Sequence, residues 1–153
     1  MRFYMEKLNC KSLMIGDWVL HEGEPYQIRQ LGIFGESRDG EDYPAVCIGK
    51  PKGVGLIVEI NEIEPIPLTS EILEKNGFIK VEHYYPYPTY EYKVESLKFV
   101  VRAAFPKGSK ATKRTKPFTE VDAEWCWYNN DCEFLHNLQQ VMRLCRIKKE
   151  IVI

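Results

Sequence analysis

Up to about residue 68 the apolar positions come in short runs broken by Gly, Pro and Asp, the pattern of small strands joined by tight turns. Leu13-Met14-Ile15-Gly16-Asp17-Trp18-Val19-Leu20 sets a Gly-Asp turn ahead of a strand, and Glu22-Gly23-Glu24-Pro25 leads into a second over 26–31. The β-branched runs 43–48 and 54–59 predict two more, and 60–63 a single helical turn before a last extended piece, 64–68. Five short strands in so little chain suit a small closed barrel of SH3-like type, because closure removes the exposed edges of a small sheet.

Leu68-Thr69-Ser70-Glu71-Ile72-Leu73-Glu74-Lys75-Asn76-Gly77-Phe78 then carries both ends of a short helix, 69–76. Thr69 can cap the first backbone N–H groups, Glu71 sits where the helix dipole favours negative charge, and Leu68 can close on Leu73 as a hydrophobic staple. Gly77 can take the left-handed conformation that ends a helix, with Phe78 folding back on Leu73.

After Gly77 the extended segments lengthen. Residues 78–85, 90–94, 97–105 and 118–128 predict an antiparallel meander, with 86–89 as a turn and 106–117 as a long polar loop. Phe134, Leu135, Leu138, Val141, Met142 and Cys145 recur at helical spacing. They predict a second helix, 131–145, capped by Asn130 or Asp131 and packed on the sheet. Residues 150–153 read as a short terminal strand. The expected architecture is α+β in two lobes: a small β-barrel, 1–68, and a sheet with one packed amphipathic helix, 69–153.

Composition narrows the function classes. The 153 residues are 44% hydrophobic and 12% aromatic, enough to bury a genuine core, and 21 basic against 22 acidic residues give a net charge of −1. No global field draws the chain to nucleic acid or an anionic membrane, so such a contact must be local. No apolar run approaches the ~18 residues of a membrane span, and Met1-Arg2-Phe3-Tyr4-Met5-Glu6-Lys7 lacks the apolar core of a signal peptide. A cytoplasmic protein is expected. Five cysteines, an odd number with no CxxC pair, fit a reducing compartment.

Four groups of residues carry candidate chemistry. Lys107, Lys110, Lys113, Arg114 and Lys116 put five cations in the loop 107–116, enough to contact several phosphates, although a polar loop kept soluble by lysines is the commoner case. Tyr84, Tyr85, Tyr87, Tyr90 and Tyr92 could stack on bases or sugars. Alternation assigns Tyr90 and Tyr92 to one strand face, which leaves Tyr87, between two prolines, as the ring most open to a partner. Cys132 and His136 lie four apart, the spacing at which a thiol and an imidazole can meet. Helical phase sets them, with Arg143, opposite the apolar stripe, so a partner surface is expected and not a closed catalytic pocket. Cys126, Cys132, His136 and Cys145 lack the paired spacings of a zinc site, and no motif names a cofactor or a metal. His21 and His83 stand alone. Trp125 and Trp127 are expected to share a face with Ala123 beneath the last helix.

Three blocks together carry a resemblance. Leu13-(x)2-Gly16-Asp17-Trp18-Val19, the stretch from Ile63 to Phe78, and His136-Asn137-Leu138-Gln139 followed by Leu144-Cys145-(x)-Ile147 resemble a family of small uncharacterised proteins. Those proteins come from phages, prophages and mobile elements of Bacteroides-type gut bacteria. The family pattern has Gly where this chain has Arg146. The resemblance implies a biological context and no activity. The resulting expectation is a non-enzymatic binding or adaptor module with an unidentified protein partner and no cofactor. The alternative is a nucleic-acid-binding accessory protein using the loop 107–116.

Overall fold

The computed structural model describes residues 8, 12–36, 40, 42–81, 89–94, 97–102, 118–123 and 126–153. The protein is α+β, with two antiparallel five-stranded sheets and few helices. The chain divides into two compact units, Met1–Ile66 and Pro67–Ile153. The expected boundary lay two residues later. Pro67 and Leu68 go with the second unit because Pro67 bridges Phe134 and the Leu68 N–H donates to the Glu133 carbonyl at 3.0 Å.

The first unit holds β1 (Trp18–His21), β2 (Glu24–Glu36), β3 (Asp42–Gly49), β4 (Leu56–Glu59), a single 3-10 turn (Ile60–Glu62) and β5 (Ile63–Pro65). The strand order is β4-β3-β2-β1-β5. Apolar residues from every strand converge on one core: Leu13, Val19, Ile28, Val46, Ile48, Val58 and Ile63 are all buried. Asp17 pins the entry. Its carboxylate accepts from the Met14 N–H at 2.8 Å, and its carbonyl accepts from the Ile28 N–H at 2.9 Å, so the Gly16-Asp17 turn is tied directly to β2. At 13 residues, β2 outruns the expected 26–31, and its register against β3 shifts between Ile28 and Gln30 and again between Gln30 and Ile33. Gly32, at φ +71, lies at the second shift, the residue type suited to such irregularities. Among the described residues β4 and β5 each pair on one side only, and no closed barrel is found.

The second unit holds α1 (Ser70–Lys75), β6 (Ile79–Val81), β7 (Thr89–Val94), β8 (Leu97–Arg102), β9 (Phe118–Ala123), β10 (Cys126–Asp131) and α2 (Leu135–Leu144). The strands run in order β10-β9-β8-β7-β6. The stretch expected as one strand, 118–128, is a hairpin: Cys126 pairs with Ala123 and Asp131 with Phe118. Its two-residue connection, Glu124 and Trp125, has none of the Gly or Asn that marks a tight turn. Trp127 therefore pairs with Asp122 and Ala123 with Cys126, which puts Trp127 and Ala123 at register positions on opposite faces, and Trp125 lies outside the described residues.

Both helices end in the same motif. In α1 the Phe78 N–H reaches the Leu73 carbonyl and the Gly77 N–H the Glu74 carbonyl, each at 3.0 Å, with Gly77 at φ +83. In α2 the Ile147 N–H reaches Met142 and the Arg146 N–H reaches Arg143, each at 2.9 Å, with Arg146 at φ +57. These are paired Schellman closures, and buried Phe78 and Ile147 supply the apolar seal of each. Thr69 caps α1 as expected, its hydroxyl accepting from the Ile72 N–H at 3.3 Å. A hydrogen bond from its own backbone, then one from Thr69, holds the Glu71 carboxyl below its ordinary value.

Residues 150–153 are not a strand. The backbone of Val152 is held by a side chain instead. The Asn76 amide donates to the Val152 carbonyl at 2.7 Å and accepts from the Val152 N–H at 2.8 Å, and also donates to the Ile72 carbonyl at 2.8 Å. At 3% exposure, Asn76 has no water to substitute for these partners.

Two consequences can be measured by chemical denaturation. Asn76→Ala orphans both backbone groups of Val152, while the Ile72 carbonyl keeps the Asn76 backbone N–H, and should cost more than ~2 kcal/mol; a near-neutral result would show that the tail is held by other contacts. The helix ends should respond with opposite signs. Gly77→Val should lose more than ~1 kcal/mol, through its φ and not through crowding, since a Cβ there would sit 3.8 Å from the nearest Tyr92 atom. Arg146→Gly should gain about 0.5–1 kcal/mol by relieving a non-glycine residue of the left-handed region.

Candidate functional site

The loop 107–116, with Lys107, Lys110, Lys113, Arg114 and Lys116, lies outside the described residues, as do Tyr87 and His83. The remaining candidates fall on the second unit. Cys132 and His136 do not share an exposed face. Cys132 is 0% and His136 3% exposed. Helical phase counted from 131 fails because α2 begins only at Leu135. Cys132 precedes it, outside any helix or strand, and the Phe134 N–H is capped by Asn137 Oδ1 at 3.0 Å, so neither Asn130 nor Asp131 caps the helix. Six of ten helical residues are buried, His136 and Gln139 among them, so the buried side spans far more of the helix than the apolar stripe. The His136 ring lies parallel to the Phe134 ring, 5.8 Å away. Burial pushes the Cys132 thiol far above its ordinary value, which keeps it protonated at neutral pH and quenches its nucleophilicity. The exposed-partner expectation for Cys132 and His136 is thus corrected; of that group only Arg143, half-buried, borders an accessible surface.

That surface is a cleft of about 480 Å³ lined by Arg143, Arg146, Ile147, Lys148 and Lys149. Its cations come from the end of α2 and the tail that Asn76 holds. Lys149 Nζ lies 5.0 Å from the Tyr92 ring centre, and the same ring packs on Phe78 with centroids 5.2 Å apart. Tyr92 lines a second cleft, of about 390 Å³, with Gly77, Ile79, Val81, Glu91 and Lys93. Glu91 there is largely buried, with Lys93 Nζ 4.0 Å from its carboxylate. The signal for the cationic cleft is present in Arg143-Leu144-Cys145-Arg146-Ile147-Lys148-Lys149, four cations in seven residues, but the density of the loop 107–116 drew the expectation there instead.

On the first unit the open edge β4 carries apolar side chains to solvent. Ile57 is 62% exposed, Leu56 44%, and Val54 just before the strand 94%. The turn that delivers this edge is anchored by Arg29, whose guanidinium donates to the carbonyls of Gly53, at 2.8 Å, and Lys50. A Cβ on Gly49 would overlap that guanidinium, which accounts for the glycine. Nearby, Lys50 Nζ pairs with Glu24 at 3.3 Å and lies over the Tyr26 ring, and His21, buried, meets the same ring edge-on.

Among the described residues no group of three or more His, Cys, Asp and Glu side chains is placed to hold a metal ion, and no helix is long and apolar enough to cross a membrane. No family model, curated protein or solved structure matches this chain.

Native thiol labelling checks the burial assignments. With iodoacetamide at neutral pH, Cys132 should stay protected until the protein unfolds, while half-buried Cys47 and Cys145 react first. Prompt native labelling of Cys132 would contradict its placement. His136→Ala should cost more than ~1 kcal/mol, well beyond the half kcal/mol of an ordinary surface change.

Proposed function

We propose that this protein is a non-enzymatic binding or adaptor module, acting in the cytoplasm through protein contacts. The phage or mobile-element context implied by its sequence resemblance belongs to the same proposal. Its first unit is read as an SH3-like small barrel. The strand order β4-β3-β2-β1-β5, with a 3-10 turn between β4 and β5, supports that reading.

The observation that carries the function is the β4 edge. Natural sheets blunt their edges with lysine, proline or a bulge, because an unpaired row of backbone N–H and C=O groups recruits other strands. From Gly53 through Val58 this edge has none of those residues and instead exposes Val54, Leu56 and Ile57. An extended peptide can add to such an edge, with main-chain hydrogen bonds giving affinity and apolar side chains giving specificity. A chemical role gains no support from Cys132, whose thiol is held neutral.

A photocrosslinker at position 57 should capture one protein from host lysate, insensitive to nuclease, and the purified partner should bind wild type. Ile57→Lys places a gatekeeper charge on the edge. It should melt within about half a kcal/mol of wild type yet lose that binding. Unchanged binding by Ile57→Lys, or capture that vanishes on nuclease treatment, would overturn the edge as the docking site.

A further inference from the structure

We propose that the cationic cleft of the second unit binds the phosphate backbone of nucleic acid, with Arg146, Lys148 and Lys149 as the contacting residues. The proposal concerns residues other than those of the β4 edge and of the loop 107–116.

Three observations carry it. The first is the charge. Among the described residues Arg146, Lys148 and Lys149 make no salt bridge, so their charge is not spent on a neighbouring carboxylate. Arg143 shares the lining but already has an interaction within the fold, and is not counted.

The second is the backbone at Arg146. A residue at φ +57 ending a helix is ordinarily glycine, and an arginine there stores strain that glycine would remove. Backbone strain points to a role for the side chain it presents, and this one lines the cleft.

The third is what the cleft lacks. Ile147 in its lining is buried, and Tyr92, which is not part of the lining, packs on Phe78 and has Lys149 Nζ 5.0 Å from its ring centre. Stacked bases would need an aromatic ring in the lining, and among the described residues it has none. Four of the five described lining residues are cationic, on an open surface that follows a chain segment. That chemistry suits a phosphate backbone read without regard to sequence.

Fluorescence-anisotropy titrations of the full chain with single- and double-stranded oligonucleotides, across a salt series, test the proposal. Three phosphate contacts predict slopes of about −2 for single strands and about −3 for duplex in log K against log salt. Affinity should then fall roughly twenty- to fortyfold between about 50 and 200 mM salt. The variant Arg146→Gly/Lys148→Gln/Lys149→Gln should flatten the slope to near zero. It contains the helix-end change expected to raise the melting temperature, so lost binding would not reflect lost fold. Lys148→Gln/Lys149→Gln, with Arg146 kept, should remove about two-thirds of the slope. A loop variant, Lys110→Gln/Lys113→Gln/Arg114→Gln, and a poly-glutamate titrant complete the set. Salt-sensitive oligonucleotide binding lost in the cleft variant, whatever the loop variant does, supports the proposal. No binding at the lowest salt, binding intact in the cleft variant, or poly-glutamate bound as tightly as DNA or RNA would each overturn it.

Discussion

The second unit depends on one buried amide. Asn76 stands at the end of α1 and bonds Val152, 76 residues further along the chain, through both its donor and its acceptor. The pair of bonds copies what a neighbouring strand would provide to one residue, so the tail is docked without joining a sheet. Once Val152 is fixed, the residues before it have little freedom. Ile147 and Ile151 are buried, and Lys148 and Glu150 between them are exposed. The cationic cleft is therefore a consequence of a polar contact made outside it. An apolar residue of similar size could fill the volume at 76 but could not satisfy Val152, which is why burial here requires an amide.

The two Schellman closures show how one backbone solution tolerates unequal residues. Gly77 takes the left-handed conformation without strain, and the closure sends Phe78 back into the core. Arg146 makes the same hydrogen bonds at a conformational cost of about 1 kcal/mol. That cost is affordable because Ile147 is already buried and the tail is held from the far end.

What was legible in the sequence follows the range of the interactions involved. Thr69, Gly77 and Phe78 could be read because caps and closures act within a few residues. The strands of the first unit could be read because turns and β-branched runs are local too. The start of α2 could not, since Asn137 caps it from inside and the polar His136 and Gln139 are buried by tertiary packing that periodicity does not encode. Apolar Leu144, 71% exposed, breaks the pattern from the other side. The tail resembled a strand because Ile151-Val152-Ile153 has strand composition, but its pairing partner is a side chain in another element. The hairpin of β9 and β10 was hidden by a connection with no turn residue. For the candidate sites, Cys132 and His136 failed with the helix phase, and the cleft was overlooked because its cations alternate with Leu144, Cys145 and Ile147 and read as a helix end.

A net charge of −1 does not argue against a cationic cleft, because charge acts over a screening length and not over a whole molecule. At physiological ionic strength that length is about 8 Å, so a phosphate in the cleft senses Arg146, Lys148 and Lys149 far more strongly than acidic groups elsewhere. What neutrality removes is long-range steering, and with it fast encounter and tight non-specific association. The affinity of such a site must then come from contact alone, modest and sharply dependent on salt. An adaptor can use a contact of that strength when a second, apolar contact on the same chain supplies specificity. The neutral, apolar β4 edge has the opposite physical character, since strand pairing and apolar burial are little weakened by salt. Raising ionic strength should therefore separate the two surfaces, silencing the cleft while leaving the edge competent.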